Sequence, residues 1–133
     1  MRKRTRGREF ALQVLYQIDI TGDNYNIGLD SFLIDETIKS FTAELVKGVA
    51  DNLRVIDKKI SQYATNWQLG RMAVVDRNIL RLGCFELLFR DDIPPKVSIN
   101  EAVDLAKKYS GPEAGKFVNA ILDKINLEKN RKD

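Results

Sequence analysis

The side chains with the clearest capacity for chemistry are basic, and they are concentrated at the N-terminus. Five cations with no acid between them fall within the first eight residues: Arg2, Lys3, Arg4, Arg6 and Arg8. The whole chain carries 22 basic and 19 acidic residues, so the remainder of the chain is slightly acidic. A basic segment on an acidic body is typical of a contact with a polyanion such as RNA, although an inert, solvated terminus has the same composition.

The sequence lacks the residue types that common catalytic sites require. The 133 residues include no histidine, which excludes the usual Ser-His-Asp and Cys-His arrangements. The single cysteine, Cys84, cannot form an internal disulfide or complete a zinc site, and its apolar neighbours predict a core position. The adjacent carboxylates Asp91 and Asp92 precede two prolines and indicate a turn. We therefore expect no enzyme activity, no catalytic or metal site and no cofactor.

A second place for RNA chemistry lies near the C-terminus, where residues 116–119 read Lys-Phe-Val-Asn. A cation, an aromatic ring and an amide so close together can neutralise a phosphate, stack on a base and read a base edge. Gln13, which follows the basic segment, offers another amide. The helical spacing of apolar residues around Phe117 favours a core position for its ring instead, and both interpretations stay open at this point.

Helices must position these side chains, because apolar residues recur three and four positions apart in every long segment. The predicted helices cover residues 4–20, 29–36, 41–63, 72–89, 98–110 and 112–128. The short 29–36 helix would be built on Leu29, Phe32 and Leu33. The 72–89 segment is apolar nearly all round, which is typical of a helix enclosed by others. About six or seven helices joined by short loops indicate an all-α fold.

Capping residues predict where the later helices begin and end. Ser98 and Glu101 have the spacing of a capping box, which would open the helix that follows two consecutive prolines. Gly111 suits a left-handed residue at the end of that helix, and Pro112 suits the first position of the next. No apolar run is long enough to span a membrane, and no signal-peptide pattern is present, so we expect a cytoplasmic protein without membrane contacts.

Five blocks of residues, in their order and spacing, resemble the NusB family of bacterial transcription antitermination factors. The blocks are Ala-Leu-Gln-Val-Leu-Tyr-Gln at 11–17, Trp-Gln-Leu-Gly-Arg-Met at 67–72, Asp-Arg-Asn-Ile-Leu-Arg at 76–81, Val-Ser-Ile-Asn-Glu-Ala-Val-Asp-Leu-Ala-Lys at 97–107, and Lys-Phe-Val-Asn-Ala-Ile-Leu-Asp-Lys at 116–124. The resemblance extends over the whole chain, with a poor match between residues 22 and 41. Ala120 stands where the family more often has glycine.

The resemblance implies an all-helical, NusB-like fold of about seven helices in two packed sub-bundles. It divides the chain into a basic arm at 1–8, an N-terminal sub-bundle at 9–65, a C-terminal sub-bundle at 66–128 and a tail at 129–133. It also implies binding to the single-stranded boxA element of nascent transcripts together with the ribosomal protein NusE. Other Nus factors and RNA polymerase would complete a larger complex that acts in ribosomal RNA operons.

The expected site residues combine the resemblance with the amides noted above. The RNA-binding set is Arg2, Lys3, Arg4, Arg6, Arg8, Gln13, Lys116, Phe117 and Asn119. The resemblance favours a base-contacting Phe117 over a buried one. The residues expected to face NusE are Tyr16, Asp76 and Arg77. The main alternative is a helical protein–protein adaptor with no direct RNA role, in which the basic arm is inert.

Overall fold

Seven α-helices and one 3₁₀ turn make up the part of the chain that the computed structural model describes, residues 2–30 and 35–131, and this part contains no strand. The helices are α1 (Lys3–Thr21), α2 (Tyr25–Asp30), α3 (Glu36–Asp51), α4 (Leu53–Tyr63), α5 (Val74–Phe89), α6 (Pro95–Tyr109) and α7 (Pro112–Arg131). The 3₁₀ turn, Leu69–Arg71, lies between α4 and α5. The predicted all-α fold of about seven helices is confirmed.

Helix α5 is the central element, because α1, α3, α4, α6 and α7 all pack against it. Every residue from Asn78 to Leu87 except Arg81 is buried, in agreement with the apolar pattern of this segment. Cys84 is fully buried, which confirms its predicted core position. Burial raises the pKa of the Cys84 thiol to about 12, so this group stays protonated and unreactive at neutral pH.

Two groups of helices share α5. Helix α1 packs mainly on α3 and also contacts α2, whereas α6 packs mainly on α7. Helix α4 contacts both α5 and α7. Two packed groups around one continuous core agree with the expected fold. The expected N-terminal sub-bundle at 9–65 includes α4, which packs mainly on α5 and α7, so this division of the chain stays a prediction. None of the described helices is both long enough and apolar enough to cross a membrane.

Glycines act at two kinds of position in this fold. Gly48 lets α3 approach α5, since a Cβ atom there would lie 2.1 Å from Phe85 Cζ. Gly111 follows α6 with φ at 122°, and Pro112 begins α7, so both predictions for this junction are confirmed. The left-handed conformation at Gly111 is one that side chains with a Cβ rarely adopt.

The single long helix predicted at 41–63 is wrong, because Asn52 separates α3 from α4. Its Nδ2 donates to the carbonyl oxygen of Gly48 at 2.8 Å, and its backbone N–H donates to the same oxygen at 3.2 Å. The side chain thus satisfies a carbonyl group near the end of α3. The apolar spacing continues across the break, so periodicity alone could not detect it.

Two other predicted boundaries differ from the structure. The second helix covers Tyr25–Asp30 rather than 29–36, and Phe32 and Leu33 lie outside the described residues. Helix α7 continues to Arg131, so residues 129–131 are helical and do not belong to the expected tail.

The capping box predicted at Ser98 is also wrong, because α6 begins one turn earlier, at Pro95. Proline suits a first helical turn, where its missing N–H is not needed. Ser98 is buried, and its Oγ donates to Glu86 Oε1 at 2.8 Å. Glu101 accepts from Thr5 Oγ1 at 2.6 Å. Both side chains therefore join α6 to other helices instead of capping it.

Candidate nucleic-acid and partner interface

Arg8 is buried where α1 meets α5 and α6, and it does not belong to an exposed arm. Its Nε and Nη2 donate to the two carboxylate oxygens of Glu86, each at 2.8 Å, and its Nη1 donates to Glu101 Oε1 at 3.1 Å. The side chains of Arg8 and Glu86 are only 3% and 2% exposed. Gly7 is buried as well, so the expected arm at 1–8 must be corrected to end before residue 7.

Helical geometry explains why Arg8 is buried. It lies one turn before Leu12 and about two turns before Leu15, on the face of α1 that packs into the core. A buried arginine needs a partner for its charge, and Glu86 of α5 supplies it. Arg8 was expected to contact RNA with the other four cations, because a basic residue near a terminus is exposed more often than not.

Arg2 and Lys3 are exposed, and neither makes an ion pair or a side-chain hydrogen bond with any described residue. Arg2 lines a cavity between the start of α1 and α6, together with the carboxylate residues Glu101 and Asp104. These two cations are therefore available to an external anion.

Arg4 and Arg6 are about half exposed but have partners within the chain. The Arg4 guanidinium lies over the Phe41 ring, 4.7 Å from its centroid, and 3.6 Å from Asp92 Oδ2. Arg6 Nη1 donates to Glu9 Oε1 at 3.0 Å. The Arg4–Asp92 pair is exposed on both sides and contributes little stability, so a phosphate could take the place of Asp92. Glu9 is buried, so Arg6 keeps this partner while the exposed part of its side chain faces solvent.

Glu9 forms a buried cluster beside the basic segment. Its carboxylate accepts hydrogen bonds from Lys108, Arg6 and the hydroxyl of Tyr109. Burial alone would raise the pKa of Glu9, but the hydrogen bonds from Lys108 and Arg6 outweigh it and hold the pKa below its ordinary value. This cluster joins α1 to the end of α6.

An apolar groove of about 480 Å³ runs along α1. Its lining residues are Leu12, Gln13, Tyr16, Gln17, Ile20, Thr21, Val75 and Tyr109. Tyr16 is 40% exposed and Ile20 is 59% exposed, so the groove opens to solvent. Gln13 was expected to contact RNA and Tyr16 to contact a protein, yet the structure brings both into this one groove.

Arg77 is held by Asp19 of α1 rather than exposed for a partner. Its Nε and Nη2 donate to the two carboxylate oxygens of Asp19 at 2.7 and 2.9 Å. The hydrogen bond that Arg77 donates to the Asp19 carboxylate raises the pKa of the guanidinium above its ordinary value. Arg77 therefore fixes α5 against α1, and its expected contact with NusE stays a prediction.

Asp76 carries an unusual carboxylate. Its Oδ1 is buried and has no hydrogen-bond partner among the described residues. The first turn of α5 stabilises the negative charge through the helix dipole but leaves this oxygen without a donor. Asp76 lines a cavity with Phe117, whereas its neighbour Val75 lines the groove along α1. Buried acceptors without donors are rare, so this oxygen is an exception within the described part of the fold.

Phe117 has one side on the core and the other on a cavity of about 540 Å³. Its ring meets the Trp67 ring edge to face, with centroids 6.1 Å apart and an interplanar angle of 74°. The cavity lining consists of Trp67, Arg71, Met72, Ala73, Asp76, Ser110, Glu113, Ala114 and Phe117. The ring is thus half-buried, with one side packed on the core and one side accessible, and its contact with a base stays a prediction.

Lys116 and Asn119 flank Phe117 on the exposed side of α7. Lys116 Nζ lies 3.5 Å from Glu113 Oε1, and both side chains are largely exposed. The Asn119 amide makes no hydrogen bond with any described residue. Helix α6 lies between this patch and the N-terminal cations, because it contacts α7 and also accepts the Thr5 hydrogen bond at Glu101.

Residues 5–127 match the family model described as the NusB family. This chain belongs to the NusB family. A transcription antitermination protein NusB from Desulfitobacterium hafniense is 45% identical over 132 residues, covering 95% of this chain and 89% of the relative. The corresponding protein from Anaeromyxobacter dehalogenans is 48% identical over 128 residues, covering 92% of this chain and 89% of the relative.

Solved structures of NusB proteins have the same fold. NusB from T. maritima superposes with a TM-score of 0.88 at 40% identity, covering 94% of this chain and 91% of that one. A chain from a crystal structure of the antitermination factors NusB and NusE in complex with double-stranded RNA has a TM-score of 0.83 at 32% identity, covering 96% and 98%. The resemblance to the NusB family is therefore confirmed.

Three residues that line the cavities described above were absent from the expected site. Trp67 and Arg71 line the cavity at Phe117, and Tyr109 lines the groove along α1. Trp67 and Arg71 belong to the block at 67–72, which by itself indicated only the family resemblance. A lone tryptophan in a loop was the signal that could have revealed the aromatic pair with Phe117. No local pattern indicates that Tyr109 closes the groove along α1.

Proposed function

We propose that this protein acts in transcription antitermination by binding the boxA element of nascent RNA jointly with NusE. The observation that carries the proposal is the exposure of Arg2 and Lys3 at the start of α1, where no hydrogen bond or close ion pair with a described residue holds either side chain. Cations in this state can neutralise phosphates without first giving up an internal partner. The likeness to a NusB chain solved with NusE and double-stranded RNA supports the same conclusion.

The RNA surface in this proposal has two patches. Arg2 and Lys3, with Arg4 and Arg6 beside them, contact phosphates, which gives affinity but little sequence information. Lys116, Phe117 and Asn119 form the second patch, where the open face of the Phe117 ring can stack on an unpaired base and the Asn119 amide can read a base edge. Arg8 has a positioning role instead, because its ion pair with Glu86 fixes the start of α1.

NusE is proposed to occupy the groove along α1. The groove is almost entirely apolar, and half-exposed Tyr16 and Ile20 offer side chains whose burial would stabilise a protein complex. Gln13 lies in the same groove, at the end nearer the cations, so it can serve either ligand. Half-buried Asp76 is proposed to lie at the edge of this interface, because its neighbour Val75 lines the groove.

The role is non-enzymatic in this proposal, and the protein works in the cytoplasm, where RNA polymerase transcribes. With other Nus factors and RNA polymerase it would form the complex that reads through terminators in ribosomal RNA operons. The rival function is a helical adaptor without RNA binding, for which the apolar groove would suffice. The four accessible cations favour RNA, because an adaptor has no need of them.

A titration of the purified protein with boxA RNA and with a scrambled RNA of equal length tests the proposal. Each RNA is titrated with and without NusE at one fixed salt concentration, since phosphate contacts are strongly salt-dependent. We expect tighter binding to boxA than to the scrambled RNA, and a further gain with NusE present. Undetectable RNA binding under both conditions would support the adaptor instead.

A further inference from the structure

Trp67 is a large apolar side chain that the fold leaves mostly exposed. It lies between α4 and the 3₁₀ turn, and 57% of its surface is exposed. Its described ring contact is the edge-to-face pair with Phe117. An indole of this size could bury much more apolar surface in a core than it does here. A large ring held in solvent beside another partly open ring is typical of a stacking platform for nucleic-acid bases.

Two cavities share Trp67 and Arg71. The cavity with Phe117 measures about 540 Å³, and a second cavity of about 620 Å³ lies along the loop that follows α4. The second lining consists of Ser61, Ala64, Thr65, Asn66, Trp67, Gln68, Leu69 and Arg71. Each volume is within the range of small-ligand sites, so each can hold a nucleobase. Together they form a track that leads from Phe117 past Trp67.

The charged residues in each cavity indicate whether the cavity favours the phosphate or the base of a nucleotide. In the loop cavity, Arg71 is the one charged residue of the lining, which favours a phosphate there. The cavity at Phe117 adds the carboxylates of Asp76 and Glu113, which repel phosphates but not the uncharged face of a base. The aromatic rings and the cation thus have the relative placement that a stacked nucleotide requires.

We propose that an unpaired nucleotide of the bound RNA stacks on Trp67, next to the nucleotide at Phe117, with its phosphate at Arg71. The exposed amides of Asn66 and Gln68 line the same cavity and can read the edge of its base. This inference rests on the proposed RNA-binding function and extends the RNA surface by one nucleotide along the loop at residues 65–71.

A protein segment fits this track less well than RNA. The groove along α1 has the apolar lining that a protein interface favours, whereas the loop cavity is lined largely by hydroxyl, amide and guanidinium groups around one ring. Groups of this kind pair with phosphates and base edges.

The fluorescence of Trp67 provides a direct test, because it is the only tryptophan in the chain. The full-length protein is titrated with single-stranded boxA RNA, and the emission is recorded together with the binding curve. We expect quenching that saturates with binding. We also expect Trp67→Ala to weaken RNA binding about tenfold, as for loss of one stacked base, and Trp67→Phe to recover most of that loss. Thermal denaturation of Trp67→Ala checks that the variant folds.

Matched variants separate stacking and phosphate contact from general effects. Phe89→Ala removes another half-exposed ring with an aromatic neighbour, and we expect it to leave RNA affinity unchanged. Arg71→Ala should reduce the slope of log affinity against log salt by about 0.7, the value for one phosphate contact on a single strand. Arg54→Ala removes an exposed cation from α4 and should leave the slope unchanged.

The outcomes distinguish this inference from the proposed function. If Phe117→Ala weakens RNA binding while Trp67→Ala does not, or if the emission is unchanged at saturating RNA, the inference is overturned and the proposed function stands. If Trp67→Ala weakens binding to NusE but not to RNA, the cavity belongs to a protein partner and the inference is again overturned. If the wild-type protein binds no RNA, the proposed function fails and the inference fails with it.

Discussion

Arg8 and Glu86 form a buried ion pair in which both carboxylate oxygens accept from one guanidinium, each at 2.8 Å. The pair joins the start of α1 to the middle of α5, and Ser98 donates a further hydrogen bond to the same carboxylate. A residue that belongs to a basic N-terminus by sequence is thus part of the interior. This contact fixes the start of α1. The exposed cations that precede Arg8 in the chain are therefore held at a defined place on the surface.

Arg8→Met is expected to lower the free energy of unfolding by about 3–5 kcal/mol, because Glu86 would stay buried without its partner. Denaturation by urea at neutral pH measures this. The double variant Arg8→Met, Glu86→Leu should recover much of the loss, since replacing both charges by apolar groups is often neutral. Lys3→Met, at an exposed and unpaired position, is the control and should change stability by less than about 0.5 kcal/mol. If Arg8→Met keeps full stability but binds RNA more weakly, Arg8 contacts RNA and does not stabilise the fold.

Replacing Arg2, Lys3, Arg4 and Arg6 by glutamine is expected to reduce the salt dependence of RNA binding. If all four contact phosphates of a single strand, the slope of log affinity against log salt should fall in magnitude by about 2.8. Binding to boxA and to scrambled RNA should weaken alike, because phosphate contacts do not read bases. Lys58→Gln removes an exposed cation from α4 and serves as the control. An unchanged slope in the fourfold variant would mean that RNA binds elsewhere.

Phe117→Ala is expected to affect both RNA binding and stability. Loss of a stacking ring should weaken RNA binding by about 1–3 kcal/mol. The loss of stability should be smaller than the roughly 3–5 kcal/mol of a fully buried phenylalanine, because the ring is only half-buried. Melting and RNA titration on the same variant measure both effects. Leu122→Ala, at a fully buried position on α7, should lower stability without changing the RNA affinity of the folded protein. A Phe117→Ala variant that loses stability alone would assign the ring to the core.

Asp19 should make stability depend on pH in the acidic range. Burial alone would raise the pKa of this carboxyl group, but the hydrogen bonds from Arg77 and Asn78 outweigh it and hold the pKa below the ordinary value of 3.8. The unfolded chain therefore takes up this proton at higher pH than the folded protein does. The stability that Asp19 contributes is complete above its unfolded pKa and is lost as the pH falls through its folded pKa.

Asp19→Asn should therefore be less stable than the wild type at pH 7 and should lose less stability on acidification. Urea denaturation at several pH values between about 5 and 3 gives the free energy of unfolding, and its slope against pH is compared between the variant and the wild type. Asp51→Asn, at an exposed carboxylate at the end of α3, should keep the wild-type slope. Identical slopes for Asp19→Asn and the wild type would show that the contact with Arg77 does not depend on the Asp19 charge.

Local patterns were sufficient to predict most of the helices and the family. The three- and four-residue spacing of apolar side chains predicted an all-α fold, and the absence of a polar face predicted that α5 is central. Gly111 and Pro112 predicted the junction between α6 and α7, because both residues restrict the backbone by their own geometry. The order and spacing of the five residue blocks indicated the NusB family, which the match over residues 5–127 confirmed.

The tertiary structure alone decided which charged and aromatic side chains are available to a ligand. Arg8 and Arg6 are the same residue type two positions apart, yet only Arg8 meets a carboxylate 78 residues away and is buried. Trp67 and Phe117 likewise become neighbours only after α4, α5 and α7 pack together. The physical reason is that burial of a charge or a ring depends on partners from distant parts of the chain, whereas helical periodicity is a property of adjacent residues.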